Sequence, residues 1–396
     1  MQVAIVCEND AWADSDDVVG GDLGDNTTQF CAALTRQGQT VTVYQRGSAV
    51  QASSVDSGGY RVVAAGVGPT APVAPAKVLP FVTEWAAELE RLWSSNSPEI
   101  VHAFGWLGGL AAQLAARRLL LPTVQSFHGL AATIGPAAEP GAVAERARLE
   151  PLLARNASWI TGGSSPELET LSRLRRGRAQ VSLLPAGIDC GRYLTPDPTT
   201  AGSLRIVQLE RNPLPQSGFD RVIRSLPRLP DAELVLAQTQ SETIRHRKEW
   251  AKLSRLADQL GVGKRVRFMG HVVAQDVPAL LHSASVIACT ARQMPSAATA
   301  LAAMASGVVV VGVAVDALTD AVINGVTGTL VSPTNPHELT AALKLLQASR
   351  FQRDSMGSAG RSRVMSRFSW DRIALDASLT YGKVAVQKPK LAATPT

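Results

Sequence analysis

The stretch with the clearest potential for chemistry is residues 290–312, TARQMPSAATALAAMASGVVVVG. A short polar run leads into a helix of small residues from about Ser296 to Ala305, and Gly307 ends that helix before the buried strand 308–311. The free N–H groups at a helix start carry partial positive charge, so they can hold an anion such as phosphate. The pattern therefore indicates either an anion-binding helix start or an ordinary packing helix.

Other polar residues lie at the ends of predicted strands. His128 and Arg211 each follow a buried strand directly, and a glycine-bearing loop with Gly24 follows the first strand. A histidine titrates near neutral pH and suits a ligand site, although a lone histidine on an apolar strand is more often structural. An arginine can bind phosphate, and its alternative role is a surface ion pair. A glycine loop lets the backbone approach a ligand, and a plain turn fits it equally well.

The hydrophobic pattern predicts a scaffold of alternating strands and helices to position these residues. Strands are predicted at 2–7, 41–44, 99–104, 123–127, 159–163, 181–189 (with a loop), 205–210, 233–238, 266–272, 286–290 and 308–311. Helices are predicted at 26–37, 83–95, 109–120, 144–157, 165–174, 219–229, 243–262, 277–284, 296–305, 318–325, 336–349 and 370–383. This order is typical of doubly wound parallel sheets. The predicted fold class is therefore α/β, with two Rossmann-like domains facing across a cleft.

The chain of 396 residues is too long for one ordinary core. Residues 194–203, LTPDPTTAGS, are rich in proline and threonine and are predicted to link two domains. The N-terminal domain is predicted over 1–193 and the C-terminal domain over 204–368. A C-terminal helix at 369–386 precedes a Pro- and Lys-bearing tail, 387–396, which we expect to be disordered.

The composition favours a cytosolic protein with α/β domains over a dedicated nucleic-acid binder. Hydrophobic residues make up 45% and charged residues 18%, which suits α/β domains. The net charge is +6, but the basic residues are scattered apart from the cluster Arg173–Arg178, which is typical of a solvated helix end. The scattered positive charge therefore favours a protein that can contact acidic ligands or a membrane surface. A polyanion binder is an alternative motivated only by the sequence pI of about 9.3.

The four cysteines predict neither disulfides nor a metal site. They are far apart and lack metal-ligand spacing, at Cys7, Cys31, Cys190 and Cys289. The N-terminal MQVAIVC reads as a strand rather than a signal peptide, and no apolar stretch approaches the ~20 residues of a membrane span. We therefore expect a cytoplasmic protein without a transmembrane segment, for which peripheral membrane contact stays open.

Motifs along nearly the whole chain resemble glycosyltransferase family 4, within the GT-B fold. They are EIVHAFGWLGGLAAQLAARRL, PTVQSFHGL, ITGGSSPELETL, VSLLPAGID, GFDRVIRSLPRLPDAELVLA, VRFMGHV, VPALLHSASVIACT, LAAMASGVVVVG, DAVINGVTGTLVSP and FSWDRIA. The N-terminal half is similar to bacterial members related to sucrose-phosphate synthase and to the inositol-phosphate N-acetylglucosaminyltransferase of mycothiol synthesis. The order and spacing of these motifs along the chain carry the resemblance, since no single motif is decisive.

The resemblance implies a metal-independent, retaining transfer from a nucleotide sugar to an acceptor hydroxyl. The nucleotide sugar would be a co-substrate, and no cofactor is implied. The donor would lie mostly on the second domain, and the acceptor, a sugar or a lipid, on the first. The C-terminal helix would pack back on the first domain.

In the second domain the resemblance assigns donor contact to Arg211, but the surrounding positions differ from the family. Glu210 replaces a glycine, and a Glu210–Arg211 ion pair would neutralise the arginine. Ser217 replaces a lysine. The family's two glutamates fall on Met294, near the donor sugar, and on Ala302, near the ribose. A hydrophobic side chain cannot accept hydrogen bonds from sugar hydroxyls, so these contacts would be lost.

Two further regions carry candidate residues by the resemblance. Ser296 and Ala297 replace the family's aromatic–glycine turn, and they stay donor-binding candidates because helix N–H groups there can hold phosphate. Gly24 matches part of the family's glycine-pair loop, although Leu23 replaces the first glycine. His128 matches the family's strand-end histidine, which contacts the donor sugar, and is the candidate catalytic residue.

Four donor-handling positions are altered together, at Leu23, Ser217, Met294 and Ala302, while the scaffold signals are intact. We therefore expect a family 4-like protein with an eroded nucleotide-sugar site. It would be weak or inactive as a transferase and would act as a binding or regulatory partner, for example of an intact glycosyltransferase. The alternative is an active retaining glycosyltransferase that binds an unusual donor with substitute residues, such as Asp22 or those of the 211–217 loop.

Overall fold

The computed structural model describes residues 1–8, 26–47, 55–57, 59–69, 73, 75–127, 129–131, 140–177, 179–193, 204–294 and 296–386. The predicted linker 194–203 and the predicted tail 387–396 lie outside these described residues. The candidate site positions Leu23, Gly24 and His128 also lie outside them.

The described residues divide into two compact units by their internal contacts. The first unit contains residues 1–8, 26–185 and 370–386, and the second contains 186–369, with the gaps given above. The sequence placed the end of the first domain at 193, whereas residues 186–193 group with the second unit. The reason is local packing, because the Ile188 N–H donates to the Phe368 carbonyl at 2.8 Å and Tyr193 is buried in the second unit's core.

The first unit is built on an eight-stranded sheet. Its strands are β1 (Gln2–Cys7), β2 (Thr40–Gln45), β3 (Val55–Ser57), β4 (Tyr60–Ala64), β5 (Ile100–Phe104), β6 (Thr123–Ser126), β7 (Trp159–Gly162) and β8 (Val181–Leu183). They lie in the order β3-β4-β2-β1-β5-β6-β7-β8. Neighbours are parallel except for the antiparallel pair β3–β4, which the sequence analysis did not predict.

The second unit is built on a six-stranded parallel sheet. Its strands are β9 (Arg205–Glu210), β10 (Glu233–Gln238), β11 (Val266–His271), β12 (Val286–Cys289), β13 (Val309–Val313) and β14 (Gly328–Val331). They lie in the order β11-β10-β9-β12-β13-β14, so the strand order reverses beside β9. In such sheets ligands bind at the carboxyl ends of the strands next to the reversal. The predicted α/β class with two parallel sheets is confirmed.

Helices cover both sheets. They are α1 (Asn26–Arg36), α2 (Pro75–Val78), α3 (Val82–Ser95), α4 (Gly105–Arg118), α5 (Pro140–Asn156), α6 (Ser165–Arg175), α7 (Phe219–Ser225), α8 (Ile244–Gln259), α9 (Val277–His282), α10 (Ala298–Ala305), α11 (Leu318–Ala321), α12 (Pro336–Ala348), α13 (Arg350–Arg367) and α14 (Trp370–Val386). Among the described residues, none of these helices combines the length and the apolar character needed to cross a bilayer.

The last helix, α14, belongs to the first unit. The Tyr381 hydroxyl lies 2.6 Å from Nδ1 of His102, a fully buried residue in β5, and Nε2 of that histidine lies 2.7 Å from Ser126 Oγ in β6. At the start of the helix, Trp370 packs on Phe30 of α1 with ring centroids 6.2 Å apart. These buried contacts join the C-terminal helix to the centre of the first sheet.

Several predicted helices differ from the structure at their ends, and two helices, α2 and the longer α13, were missed. The helix predicted from Ser296 begins at Ala298, and the helix predicted to residue 325 ends at Ala321 because Val322 is extended. The missed helix α13 contains Gly357, which a sequence reading treats as a helix breaker. A Cβ at that position would collide with the Gly307 carbonyl, so the glycine is what allows α13 to lie close to the second sheet.

Candidate functional site

Four of the sequence-predicted residues line one small cavity in the second unit, which we call the smaller cavity. Arg211, Ser217, Met294 and Ser296 surround a space of about 70 Å³ near the carboxyl ends of β9 and β12. The other described lining residues are Glu210, Asn212, Gln216, Ala291, Gln293 and Thr299. Residues far apart in the sequence therefore meet at the edge of the sheet where ligands bind in this architecture.

The loop that carries Ser217 is held by neutral hydrogen bonds. Gln208 of β9 donates from Nε2 to the Ser217 carbonyl at 2.9 Å and to Thr290 Oγ1 at 3.0 Å. Thr290 Oγ1 in turn donates to the Gly218 carbonyl at 2.8 Å. Gly218 has a φ of 71°, and a Cβ there would collide with the Thr290 carbonyl, so this position requires glycine. The part of the wall that contains Ser217 is thus held by neutral hydrogen bonds to Gln208 and Thr290.

Met294 is part of the protein core rather than a polar contact. Its side chain is buried in the same cluster as Leu301 and Leu318. Its backbone is fixed on both sides, because its N–H donates to Asp316 Oδ2 at 2.8 Å and its carbonyl accepts from the Ala317 N–H at 3.1 Å. The methionine therefore presents an apolar surface to the smaller cavity at the position where the family resemblance would place a carboxylate.

Glu210 is the one carboxylic acid among the described residues that line the smaller cavity. It is 6% exposed, at the last position of β9. Burial raises its pKa to about 8, and a hydrogen bond with the Gln208 side chain opposes this shift. Glu210 is therefore mostly protonated at neutral pH. A protonated acid has no charge to neutralise Arg211, so the sequence-based idea of a Glu210–Arg211 ion pair is not favoured.

A second, larger space adjoins the first, and we call it the larger cavity. It has a volume of about 530 Å³ and lies entirely within the second unit. Its described lining residues are Arg192, Tyr193, Leu209, Thr239, Gln240, Ser241, Thr243, His271, Val272, Val273, Ala274, Val277, Leu281, Ala298, Thr299 and Ala302. Thr299 lines both cavities, which therefore meet at the first turn of α10. The sequence-predicted position Ala302 lies in the larger cavity.

The larger cavity contains a polar group that the sequence analysis missed. Thr239 directly follows β10, and its Oγ1 is buried without a hydrogen-bond partner in the described structure. Buried hydroxyls normally have a hydrogen-bond partner, so Thr239 is a candidate contact for a ligand. Nearby, Arg192 donates from Nη2 to the Ala274 carbonyl at 2.6 Å and so joins two lining segments. The position of Thr239 at a strand end next to the reversal was the available sequence signal.

A neighbouring serine side chain caps one of the backbone N–H groups at the start of α10. The Ser296 hydroxyl accepts from the Ala298 N–H at 3.3 Å, so one of the free N–H groups predicted to hold an anion is already bonded. Ala297 is the N-cap residue, and its side chain is buried in the core cluster. Of the two predicted residues, Ser296 is thus the one that borders a cavity. In the described part of the chain, no cluster of three or more His, Cys, Asp or Glu is arranged to hold a metal ion.

In the first unit, Glu167 joins the loops that follow two neighbouring strands. Its carboxyl oxygens accept from the Gly129 N–H after β6 and from the Gly163 N–H after β7, each at 2.6 Å. Burial raises the pKa of Glu167, and these two N–H groups oppose the shift. Gly129 directly follows His128, so Glu167 fixes the backbone beside the candidate catalytic histidine.

A buried ion pair supports the same loop. Arg146 and Glu150 of α5 are bonded between Nε and Oε1 at 2.8 Å. Arg146 also donates to the Gly129 carbonyl at 2.7 Å, and Glu150 accepts from the Ala131 N–H at 2.9 Å. Burial raises the pKa of Glu150, and the positive charge of Arg146 opposes this. Side chains therefore bind both backbone N–H groups and a backbone carbonyl within residues 129–131.

Two sequence families match this chain, one in each half. Residues 23–187 match the family described as "Glycosyl transferase 4-like domain", and residues 211–363 match "Glycosyl transferases group 1". The chain is 27% identical over 392 residues to a glycogen synthase of Mycobacterium tuberculosis, an alignment that covers 92% of this chain and 91% of that protein. It is 27% identical over 389 residues to a D-inositol 3-phosphate glycosyltransferase of Xylanimonas cellulosilytica, with 91% of each chain covered.

Solved structures with the same fold cover almost the whole chain. A sucrose-phosphate synthase from Thermosynechococcus elongatus matches with a TM-score of 0.80 at 21% identity, over 98% of this chain and 99% of that chain. Anabaena HepE in complex with UDP-glucose matches with a TM-score of 0.70 at 16% identity, over 97% of this chain and 100% of that chain. The two family matches and the two doubly wound sheets show that this protein belongs to the family 4-like glycosyltransferases with the GT-B fold.

Proposed function

We propose that the second unit binds a nucleotide sugar, and that sugar transfer by this chain is weak or absent, so that it acts as a binding or regulatory partner. The observation that carries the proposal is the pair of adjoining cavities. Small-molecule sites typically measure ~300–1,000 Å³, and the larger cavity, at about 530 Å³, falls in that range. The smaller cavity borders Arg211, whose guanidinium suits a diphosphate.

The protonation of Glu210 supports binding of an anion next to it. A carboxylate in the smaller cavity would repel a diphosphate, since like charges at short range in a protein interior repel strongly. With a pKa of about 8, Glu210 is mostly neutral at pH 7. Its O–H group can then donate a hydrogen bond to an anionic ligand.

The residues of the smaller cavity also support weak transfer. A departing diphosphate gains negative charge and must be stabilised by cations or N–H dipoles. Among the described residues that line the smaller cavity, Arg211 is the cationic one, because Ser217 stands where the family resemblance places a lysine. A charge-assisted hydrogen bond contributes about 1.5–3 kcal/mol, so its loss weakens diphosphate binding by about tenfold to a hundredfold.

Calorimetric titration with UDP-, GDP- and ADP-sugars tests the proposal. We expect saturable but weak binding of one of them, and about tenfold to a hundredfold tighter binding after Ser217→Lys, because the new ammonium reaches the diphosphate. Ser355→Lys is the matched control, since Ser355 is exposed on α13 and lines neither cavity. Absence of binding to every nucleotide sugar, with both variants folded, would overturn the proposal.

The second candidate is an active retaining glycosyltransferase that uses substitute residues. It is favoured by the neutral Glu210 beside Arg211, since a protonated acid can stabilise a leaving diphosphate in place of a lysine. The names of the relatives, a glycogen synthase and a D-inositol 3-phosphate glycosyltransferase, also favour it. Micromolar binding together with turnover near ordinary enzyme rates, roughly 1–10³ s⁻¹, would establish this candidate and exclude the eroded site.

A further inference from the structure

Residues 239–241, which directly follow β10, form wall of the larger cavity and are bonded to the loop that borders the smaller one. All three residues of this segment line the larger cavity. The Thr239 N–H donates to the Glu210 carbonyl at 2.9 Å. The Gln240 N–H donates to the Arg211 carbonyl, also at 2.9 Å. Both acceptor residues line the smaller cavity, so the position of the segment affects the walls of both cavities.

One buried side chain, Gln238, joins this segment to the protein interior. Gln238 is the last residue of β10 and is fully buried. Its Nε2 donates to the Gln240 carbonyl at 2.6 Å and lies 3.3 Å from Nδ1 of His246. Its Oε1 accepts from Nε1–H of Trp250 at 2.8 Å. Its backbone carbonyl accepts from the N–H of Val272, which also lines the larger cavity, at 2.8 Å.

The partners of the Gln238 amide determine its orientation. The indole Nε1–H of Trp250 can only donate, so it must face the amide oxygen. Trp250 is itself held in the core, with its ring centroid 5.1 Å from that of Phe219 and 5.8 Å from that of Phe268. The amide nitrogen therefore faces His246, and because that nitrogen only donates, Nδ1 of His246 must accept. This arrangement requires a neutral His246 with its proton on Nε2.

The surroundings of His246 favour this neutral form. The residue is 5% exposed, and burial lowers its pKa, while a hydrogen bond with the Ser241 backbone opposes the shift. The charged groups that face the ring are Arg245, Glu242 and Arg211, of which the two arginines lower its pKa and the glutamate raises it. Protonation would turn a second N–H toward the amide nitrogen, which cannot accept it, and would break that contact.

We propose that Gln238 is a positioning residue for both cavities. Its amide, which Trp250 and a neutral His246 orient, holds residues 239–241 in place. That segment in turn holds the backbone of Arg211 through the hydrogen bond from Gln240. The inference goes beyond the proposed function, because the positioning does not depend on which ligand binds. Only the affinity measurement below rests on nucleotide binding.

The ring of His246 provides the first test, by NMR on the full chain with labelled histidine and with His246→Gln to assign the signal. We expect the Nε2–H tautomer and a ring pKa below the ordinary 6.5. Gln238→Glu places a carboxylate opposite Nδ1 and should raise this pKa above 6.5, since an opposite charge favours the protonated ring. Gln259→Glu, at an exposed position of α8, is the matched control. The Nδ1–H tautomer, or no change with Gln238→Glu, would overturn the inference.

The carbonyl carbon of Gln240 provides a second test that also needs no ligand. Its ¹³C resonance should titrate together with His246, because protonation of the ring disturbs the amide that donates to this carbonyl. Gln238→Met keeps the length of the side chain but cannot donate, so the carbonyl titration should disappear while His246 still titrates. Gln238→Leu replaces it if the methionine variant does not fold. A carbonyl that titrates equally in the variant, or not at all in the unaltered protein, would contradict the positioning role.

The affinity for nucleotide sugars provides the third test, by calorimetry with UDP-glucose, GDP-mannose and ADP-glucose. For the compound that binds, we expect the dissociation constant to rise about tenfold in Gln238→Met, because the wall segment is no longer held. Leu343→Ala, in the core of the same unit and away from both cavities, is the control for general destabilisation. Melting temperatures confirm that each variant is folded.

The outcomes separate the inference from the proposed function. An unchanged affinity in Gln238→Met, or an equal loss of affinity in Leu343→Ala, would show that Gln238 does not position the cavities. Absence of binding by all three nucleotide sugars would instead remove the proposed function. The two NMR tests would then decide the role of Gln238, because neither uses a ligand.

Discussion

Buried glutamates lie near the carboxyl ends of strands in both units, but they face different partners. In the first unit, Glu150 and Glu167 accept hydrogen bonds from backbone N–H groups, and Glu150 is also paired with Arg146. In the second unit, Glu210 borders a cavity, and an amide side chain, Gln208, is its hydrogen-bonding neighbour. Burial raises the pKa of each, yet the chemical consequence differs. Glu150 and Glu167 position a loop, whereas Glu210 borders a cavity.

The difference shows where each unit uses polar side chains. The loop after β6 is fixed by ionisable groups that are already bonded within the protein, so altering them should change stability first. The loop that carries Ser217 is held by the neutral groups of Gln208 and Thr290. Altering the polar groups that border the cavities, such as Glu210 and Thr239, should instead change pH dependence or affinity.

The largest expected effect is the pH dependence that Glu210 gives to stability. Its pKa in the folded protein, about 8, lies above its ordinary value of 4.5. The folded state therefore binds the proton more tightly than the unfolded state, so the contribution is fully present below about pH 4.5 and is lost as pH rises through about 8. The free energy of unfolding, measured with urea, should fall by about 5 kcal/mol across this window through Glu210 alone.

The variant Glu210→Gln isolates this contribution, because it cannot ionise. We expect the stability difference between this variant and the unaltered protein to shift in the variant's favour as pH rises from 5 to 8.5. Glu233→Gln, in an exposed position on β10 of the same unit, is the control and should leave the pH profile unchanged. Parallel profiles for Glu210→Gln and the unaltered protein would show that Glu210 is solvated like an ordinary surface acid.

The second effect in size is the stability lost from the first unit on truncating Glu167. The variant Glu167→Ala leaves the N–H groups of Gly129 and Gly163 without their acceptor, and we expect the free energy of unfolding to fall by about 3 kcal/mol. Glu167→Gln keeps one acceptor oxygen and should cost less. The measurement is urea unfolding at pH 7. Equal stabilities for the alanine variant and the unaltered protein would mean that the two loops are held without this carboxyl group.

The smallest effect is a change in affinity at Thr239. Thr239→Val keeps the shape of the side chain and removes the unpartnered hydroxyl, so stability should change by less than about 1 kcal/mol. If this hydroxyl bonds to the ligand, nucleotide affinity should fall by about fivefold. Thr170→Val, at a half-buried threonine of α6 that lines neither cavity, is the control, and calorimetry is the readout. Unchanged affinity would mean that an ordered water, rather than the nucleotide, satisfies Thr239.

Most of the architecture could be predicted from the sequence, because buried parallel strands and amphipathic helices leave strong periodic patterns. The sequence also selected Arg211, Ser217, Met294 and Ser296, which the structure brings around one cavity. The sequence analysis missed α13 because it contains Gly357, a residue type that usually interrupts a helix. In the structure this glycine lies against Gly307, which is far away in the chain. Spacing cannot show such a contact.

The protonation and hydrogen bonding of the candidate-site residues were harder to predict, since both depend on burial. The sequence shows Glu210 next to Arg211 and so suggests an ion pair. The raised pKa arises from the surrounding sheet, which only the folded chain provides. Thr239 is likewise an ordinary strand-end residue until the structure shows its hydroxyl buried beside the larger cavity. The predicted roles of His128 and Gly24 stay predictions, because both residues lie outside the described part of the chain.

A crystal of the protein soaked with UDP-glucose at millimolar concentration would test whether the second unit holds a nucleotide sugar without transferring it. We predict intact UDP-glucose, with its uridine in the larger cavity and its diphosphate beside Arg211. The same soak with an acceptor sugar should leave the donor unhydrolysed and untransferred. Density for UDP and a glycosylated product would contradict the proposed loss of activity, and a ligand bound away from both cavities would contradict the assignment of the site.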